Sequence, residues 1–202
     1  IKYQERNKIK IPISNKKKII LYSGAFGRIN GVLYLVEIAK EMQKINSDLF
    51  FLLVGNGYDK DRIINASIKY GLYKKNFYCM DYVIKDQMPE LLSKATIVSS
   101  IFIDIPQMEN NSANKFFDGL AAGKPIMINY GGWQAELLSE TGCGFIIPPK
   151  DALTSAKIID GIMKDKLKLS EMSKASRALA GKFDVETNFQ RFVKVLDNVL
   201  YL

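Results

Sequence analysis

Lys115 and Asp118 lie three positions apart in the stretch NNSANKFFDGLAAGKPI, residues 110–126. If that stretch is helical, the two side chains share a face with Asn114. Ser112 is a residue type that caps helix starts, which leaves the amides of Ala113, Asn114 and Lys115 pointing outward without acceptors. Free amides beside a lysine charge make a site for an anion. A carboxylate one turn further on can accept hydrogen bonds from two hydroxyls, as a ribose offers. Gly123 suits the helix end, Pro125 forbids its continuation, and the small residues of GLAAG suit a helix pressed against a sheet. The competing reading is an ion pair between Lys115 and Asp118 on a surface helix.

A second stretch, SGAFGRINGV (residues 23–32), supplies three glycines, Gly24, Gly27 and Gly31, and a cation, Arg28. Glycines there allow a sharp turn and a close approach to a ligand, and Arg28 can pair with a phosphate. The spacing G-x-x-G-x-x-x-G is not the dinucleotide fingerprint, and no Gly-Lys-Ser/Thr follows to make a phosphate-binding loop. In YGGWQAELL, Gly131-Gly132 forms another strand-to-helix turn. There Trp133 either walls a cleft or simply packs, and Glu136 reads as a solvated helix residue. Asp59 and Asp61 sit where a helix begins, Asp59 as N-cap and Asp61 in the first turn, so we expect no metal there. Cys79 and Cys143 have no ligand-like spacing and read as buried free thiols. Histidine is absent from the sequence, which removes histidine-based triads and relays from this segment.

These residues need strands and helices to position them. Short apolar runs at KIILYSG, LFFLLVGNG, NFYCM, TIVSSIFI, PIMINY and CGFIIPP read as buried strands, and periodic helical segments separate them. After Pro148-Pro149 only helices follow, over about 151–165, 168–181 and 185–201. Alternation of this kind predicts an α/β fold: a doubly wound, Rossmann-like parallel six-stranded sheet with C-terminal helices. Both faces of the sheet should be covered, because its strands are apolar throughout. A ligand should lie beyond the carboxyl ends of the strands, which makes 23–31, 55–59, 81–86, 101–114 and 130–133 the functional loops. Residues 1–17 read as a linker or interdomain segment, and 18–202 as one domain. The chain opens on Ile1 without a signal-like leader, and we expect it to be a fragment of a longer protein. Its net charge of +8 suits an anionic membrane, a nucleic acid or a phosphorylated ligand. No nucleic-acid module accompanies that charge, so no nucleic-acid partner is expected.

The stretch SANKFFDGLAAGKPIMI resembles the signature of the retaining glycosyltransferases of family 4, whose GT-B architecture sets two Rossmann-like domains face to face. YSGAFGRINGVLYLVEIAKEM, FFLLVGNGYDKDRI, YVIKDQMPELLSKATIVSS and CGFIIPP follow in the family's order and spacing. The resemblance covers about residues 18–200 and is nearest to bacterial enzymes that build surface polysaccharides, such as capsule, O-antigen or lipopolysaccharide, from UDP-activated amino sugars. It implies that the chain is the donor-binding half of one such enzyme. Asp118 would grip the ribose hydroxyls. The Ser112–Lys115 helix start and the Gly24–Arg28 loop would hold the diphosphate, with Arg28 and Lys115 stabilising the leaving group. The backbone near Tyr82 and Val83 would meet the base. The donor would be a UDP-sugar. The acceptor, a sugar or a lipid-linked chain, would be met by an absent N-terminal domain. Neither cofactor nor metal is implied, and the isolated chain should be inactive. A cytoplasmic location at the inner face of the membrane, with peripheral contact, goes with this reading. The sequence departs from the pattern where Asn110 replaces a second glutamate, with Glu109 one place off. Two alternatives stay open: a UDP-sugar epimerase of the same architecture, and a non-enzymatic nucleotide-binding domain.

Overall fold

The computed structural model describes residues 9, 11, 17–45 and 48–200, so most of the expected linker lies outside the described residues. Among the described residues six strands form one parallel sheet: β1 Lys18–Ser23, β2 Leu49–Val54, β3 Phe77–Met80, β4 Ile97–Ser100, β5 Ile126–Ile128 and β6 Gly144–Ile146. Their order is β3-β2-β1-β4-β5-β6. The direction of winding reverses between β1 and β4, and a ligand crevice opens at such a switch point. The predicted fold class and strand set are thus observed.

The helices are α1 Leu33–Ile45, α2 Lys60–Lys69, α3 Met88–Lys94, α4 Asn114–Ala121, α5 Trp133–Thr141, α6 Ala152–Lys164, α7 Lys166–Ala180 and α8 Val185–Leu200. Successive strand residues face opposite sides, so each strand feeds two cores. Ile20, Tyr22, Phe51 and Leu53 join the core that contains Leu35, Ile38 and Met42 of α1. Leu21, Phe50, Leu52 and Val98 join the core that contains Phe116 and Leu120 of α4. This is why the strands read as unbroken apolar runs. Gly119 brings α4 close to the sheet: a Cβ there would lie 2.5 Å from Ile126 Cδ1 and 3.0 Å from Val98 Cβ. Gly119 thus serves the packing role expected of the small residues of GLAAG, whereas Ala121 is exposed and Gly123 lies against Arg177.

Two helix starts differ from expectation. Helix α4 begins at Asn114 with Ala113 as N-cap, and Ser112 is exposed. The side-chain oxygen of Asn111 accepts from the Ala113 amide at 3.3 Å, the role assigned to Ser112. At α2, Asp59 holds the N-cap position, but its carboxylate does not cap the helix. It accepts instead from Arg62 Nη1 at 2.8 Å. Helix α8 carries Val185, Phe189, Phe192, Val195, Leu196 and Val199 exposed to solvent. Among the described residues no helix is long and apolar enough to cross a membrane.

Candidate functional site

Lys115 is the most unusual side chain at the carboxyl edge of the sheet. It projects from the first turn of α4 and is only 8 % exposed. Its ammonium stands 5.1 Å from the centre of the Tyr22 ring and 5.0 Å from that of Phe102, at cation–π range from both. Among the described residues it forms no ion pair, so the pair with Asp118 that the competing reading required is not made. Burial without a counter-charge pushes its pKa down from 10.5 to about 8, because desolvation penalises the charged form. An anion arriving beside it would relieve that penalty.

Three elements hold Lys115 in place. Tyr22, next to last in β1, is fully buried and donates its hydroxyl proton to Ala25 O at 2.8 Å. Phe102 follows β4 and is clasped at two points by Asn129: the Phe102 amide donates to Asn129 Oδ1 at 2.9 Å, and Asn129 Nδ2 donates to Phe102 O at 2.8 Å. Gly24 gives Lys115 its room. A Cβ on Gly24, at φ +146°, would meet Lys115 Cε at 3.2 Å. Gly55, after β2, is pressed harder: its Cβ would fall 1.9 Å from Gly24 O, so no side chain fits there.

The cleft these residues bound has a volume of about 450 Å3. Gly24, Tyr82, Val83, Ala113, Asn114, Lys115 and Asp118 all line it, so seven of the residues expected from the sequence come together. Asp118 is exposed at its rim. Surrounding protein raises the Asp118 carboxyl above the usual range, and the nearby Lys85 opposes that rise. An apolar groove of about 610 Å3 between α3 and α4 adjoins the cleft, sharing Met88, Asn114 and Asp118. The amides of Asn114 and Lys115, in the first turn of α4, find no acceptor among the described residues, as a helix start dictates.

Three expected residues stand apart. Ser112 and Gly27 do not line the cleft, and Arg28 lines a different cavity with Asp59, Arg62, Asp104 and Lys150. Trp133 packs against Phe117 and donates its indole proton to Asn111 O at 3.0 Å. It therefore steadies the loop before α4 rather than walling the cleft. Sequence reasoning missed Tyr22, Asn30, Phe102 and Asn129. Asn30 lines the cleft and hydrogen-bonds to Tyr22. A polar residue directly after the apolar run Ile126–Ile128 was the one local hint of Asn129. Both cysteines are buried free thiols, as expected, and burial pushes the Cys79 thiol up to about 12. Asp61 is exposed in the first turn of α2, and the described residues contain no cluster of three or more potential metal ligands among His, Cys, Asp and Glu.

Comparison with known proteins connects this geometry to a family. The curated spore coat protein SA of Bacillus subtilis (strain 168) is 23% identical over 190 residues, which is 91% of this chain and 48% of the relative. The chain thus spans about half the length of that relative. Among solved structures, Alr3699/HepE of Anabaena in complex with UDP superposes with a TM-score of 0.78 at 17% identity, covering 91% of this chain and 49% of that one. The C-terminal domain of LpcC, a glycosyl transferase group 1 family protein from Francisella tularensis, superposes with a TM-score of 0.70 at 15% identity, covering 83% of this chain and 87% of that one. The fold is therefore that of GT-B glycosyltransferase domains. The family described as glycosyl transferases group 1 matches residues 3–179, and the chain belongs to it.

Proposed function

We propose that the chain is the donor-binding, C-terminal half of a retaining glycosyltransferase that takes its sugar from a UDP-sugar. The observation that carries this reading is the cleft at the β1–β4 switch point, where a buried, unpaired Lys115 and the free amides of α4 lie one helical turn from Asp118. A nucleoside diphosphate needs those features together: a cation and amide donors for the phosphates, and a carboxylate for the ribose. The peptide at Tyr82 and Val83 is offered to the base. As the glycosidic bond to the donor breaks, charge grows on the departing UDP, and Lys115 with the α4 amides stabilises it in a site made in advance. The acceptor, a polysaccharide or lipid-linked sugar, attacks the anomeric carbon from the face that UDP leaves, so the sugar passes to the acceptor and UDP departs. In this reading the other half of the enzyme holds that acceptor, and the basic surface meets the inner face of the membrane. Lys115 supplies the charge that a divalent ion would otherwise bring, so UDP binding should survive excess chelator. A loss of tenfold or more would contradict this.

The ribose role of Asp118 separates this reading from a generic anion site. Hydrogen bonds to a charged group are worth about 1.5–3 kcal/mol, so Asp118→Ala should weaken UDP about tenfold or more. The same substitution should barely change binding of 2′,3′-dideoxy-UDP, which has no hydroxyls for the carboxylate, and the two changes should be strongly non-additive. Equal, small losses for both nucleotides would reject the ribose role.

A further inference from the structure

A separate cavity of about 530 Å3 opens on the same edge of the sheet and shares Phe102 with the donor cleft. Three cations from three elements line it: Arg28 in the 3-10 turn after β1, Arg62 in the first turn of α2, and Lys150 after β6. Two carboxylates face them. Asp59 accepts from Arg62 at 2.8 Å, and Asp104 pairs with Lys150 at 2.6 Å. One cation is left over, and it is Arg28, which forms no ion pair among the described residues. Its guanidinium lies 4.3 Å from the centre of the exposed Tyr58 ring. Stacking holds the plane of the group while its N–H edge stays free to bind.

This geometry suits an anion, and it favours a phosphate. A planar carboxylate is satisfied by a single arginine fork. A tetrahedral phosphate has oxygens for several cations, and Arg28, Arg62 and Lys150 enter the cavity lining from three different elements, with Arg28 alone among them unpaired within the described residues. The diphosphate of the donor has its own cation in Lys115, which lines the donor cleft and not this cavity. We propose that the cavity binds a phosphate group carried by the acceptor, with Arg28 as its principal grip. The phosphate site rests on the cavity itself, and its assignment to the acceptor rests on the donor reading given above.

The test uses the 202-residue chain labelled with 15N and saturated with UDP. Inorganic phosphate is then titrated, and the signals of the Arg28 side chain and of the Ile29, Gly31 and Asp104 amides are followed. We expect saturable shifts there while UDP remains bound. Arg28→Gln should weaken the phosphate response at least tenfold and leave UDP affinity within about threefold. Lys150→Gln should weaken phosphate to a lesser degree. The proposal is overturned if phosphate merely displaces UDP from the cleft, or if Arg28→Gln weakens UDP tenfold. It also fails if no saturable shift appears by about 50 mM phosphate. Should UDP itself fail to bind, the donor reading falls, and shifts at Arg28 without nucleotide still decide whether the cavity is a phosphate site.

Discussion

Lys115 sets the pH behaviour of the cleft. In the free protein its amine loses its proton near pH 8, whereas the unfolded chain keeps it until about 10.5. Between those values the unfolded state binds more protons, so the free protein gains stability as pH rises through that window. Nucleotide binding runs the other way. A bound diphosphate favours the charged amine, so binding above pH 8 must draw in a proton. UDP affinity should be flat below about pH 7 and fall toward tenfold per unit above about pH 8. Titration calorimetry in buffers of different ionisation enthalpy checks both the fall and the proton uptake. Lys115→Met should weaken UDP about tenfold or more and abolish the pH dependence. Cys79, with its thiol raised to about 12, should resist maleimide at pH 8 in the folded protein and react promptly in denaturant. Asn114, Lys115 and Asp118, proposed to hold phosphate and ribose, could be grouped from the sequence because they lie within one helical turn of each other, and all three line the cleft. The rings beside Lys115 could not: Tyr22 reaches it from β1 and Phe102 from the loop after β4, and Asn129 clasps Phe102 across 27 residues. Contacts of that range leave no local spacing to read.

At the scale of elements, α4 combines cleft lining with packing against the sheet. Its start faces the cleft, and Gly119 lies against Val98 and Ile126 in the sheet. Gly119→Val would force extra atoms into that contact, and overpacking of a core costs about 1–3 kcal/mol. Urea denaturation should show a loss of at least that size, with UDP affinity reduced as α4 is pushed from the sheet. An unchanged midpoint would mean that the helix can lift away freely. All six strands were readable from their apolar runs; β1, β2, β4 and β5 are buried on both faces, which leaves an unbroken signature, while the edge strands β3 and β6 are only partly covered. The helix starts were less so. Asn111 and Ser112 are both capping types, and only the hydrogen bond to the Ala113 amide decides between them. Asp59 looked like a side-chain cap, yet Arg62 one turn on takes its carboxylate.

The whole molecule is a sheet domain with one helix left largely bare. Helix α8 exposes Phe189, Phe192, Leu196 and Val199, so it takes little stability from the domain that carries it. Ending the chain at residue 184 should change stability by less than about 1 kcal/mol and leave UDP binding intact, as a paired thermal melt and titration would show. In the proposed reading the other half holds the sugar end of the acceptor, so the purified chain should transfer no sugar; turnover by these 202 residues alone would refute the division of labour. Nucleoside diphosphate binding in the β1–β4 cleft is tested most directly by titrating UDP into the 15N-labelled chain. Saturable shifts at Gly24, Val83, Asn114, Lys115 and Asp118 should appear and persist in excess chelator. Absence of saturable shifts, or shifts confined to residues away from these, would contradict binding there.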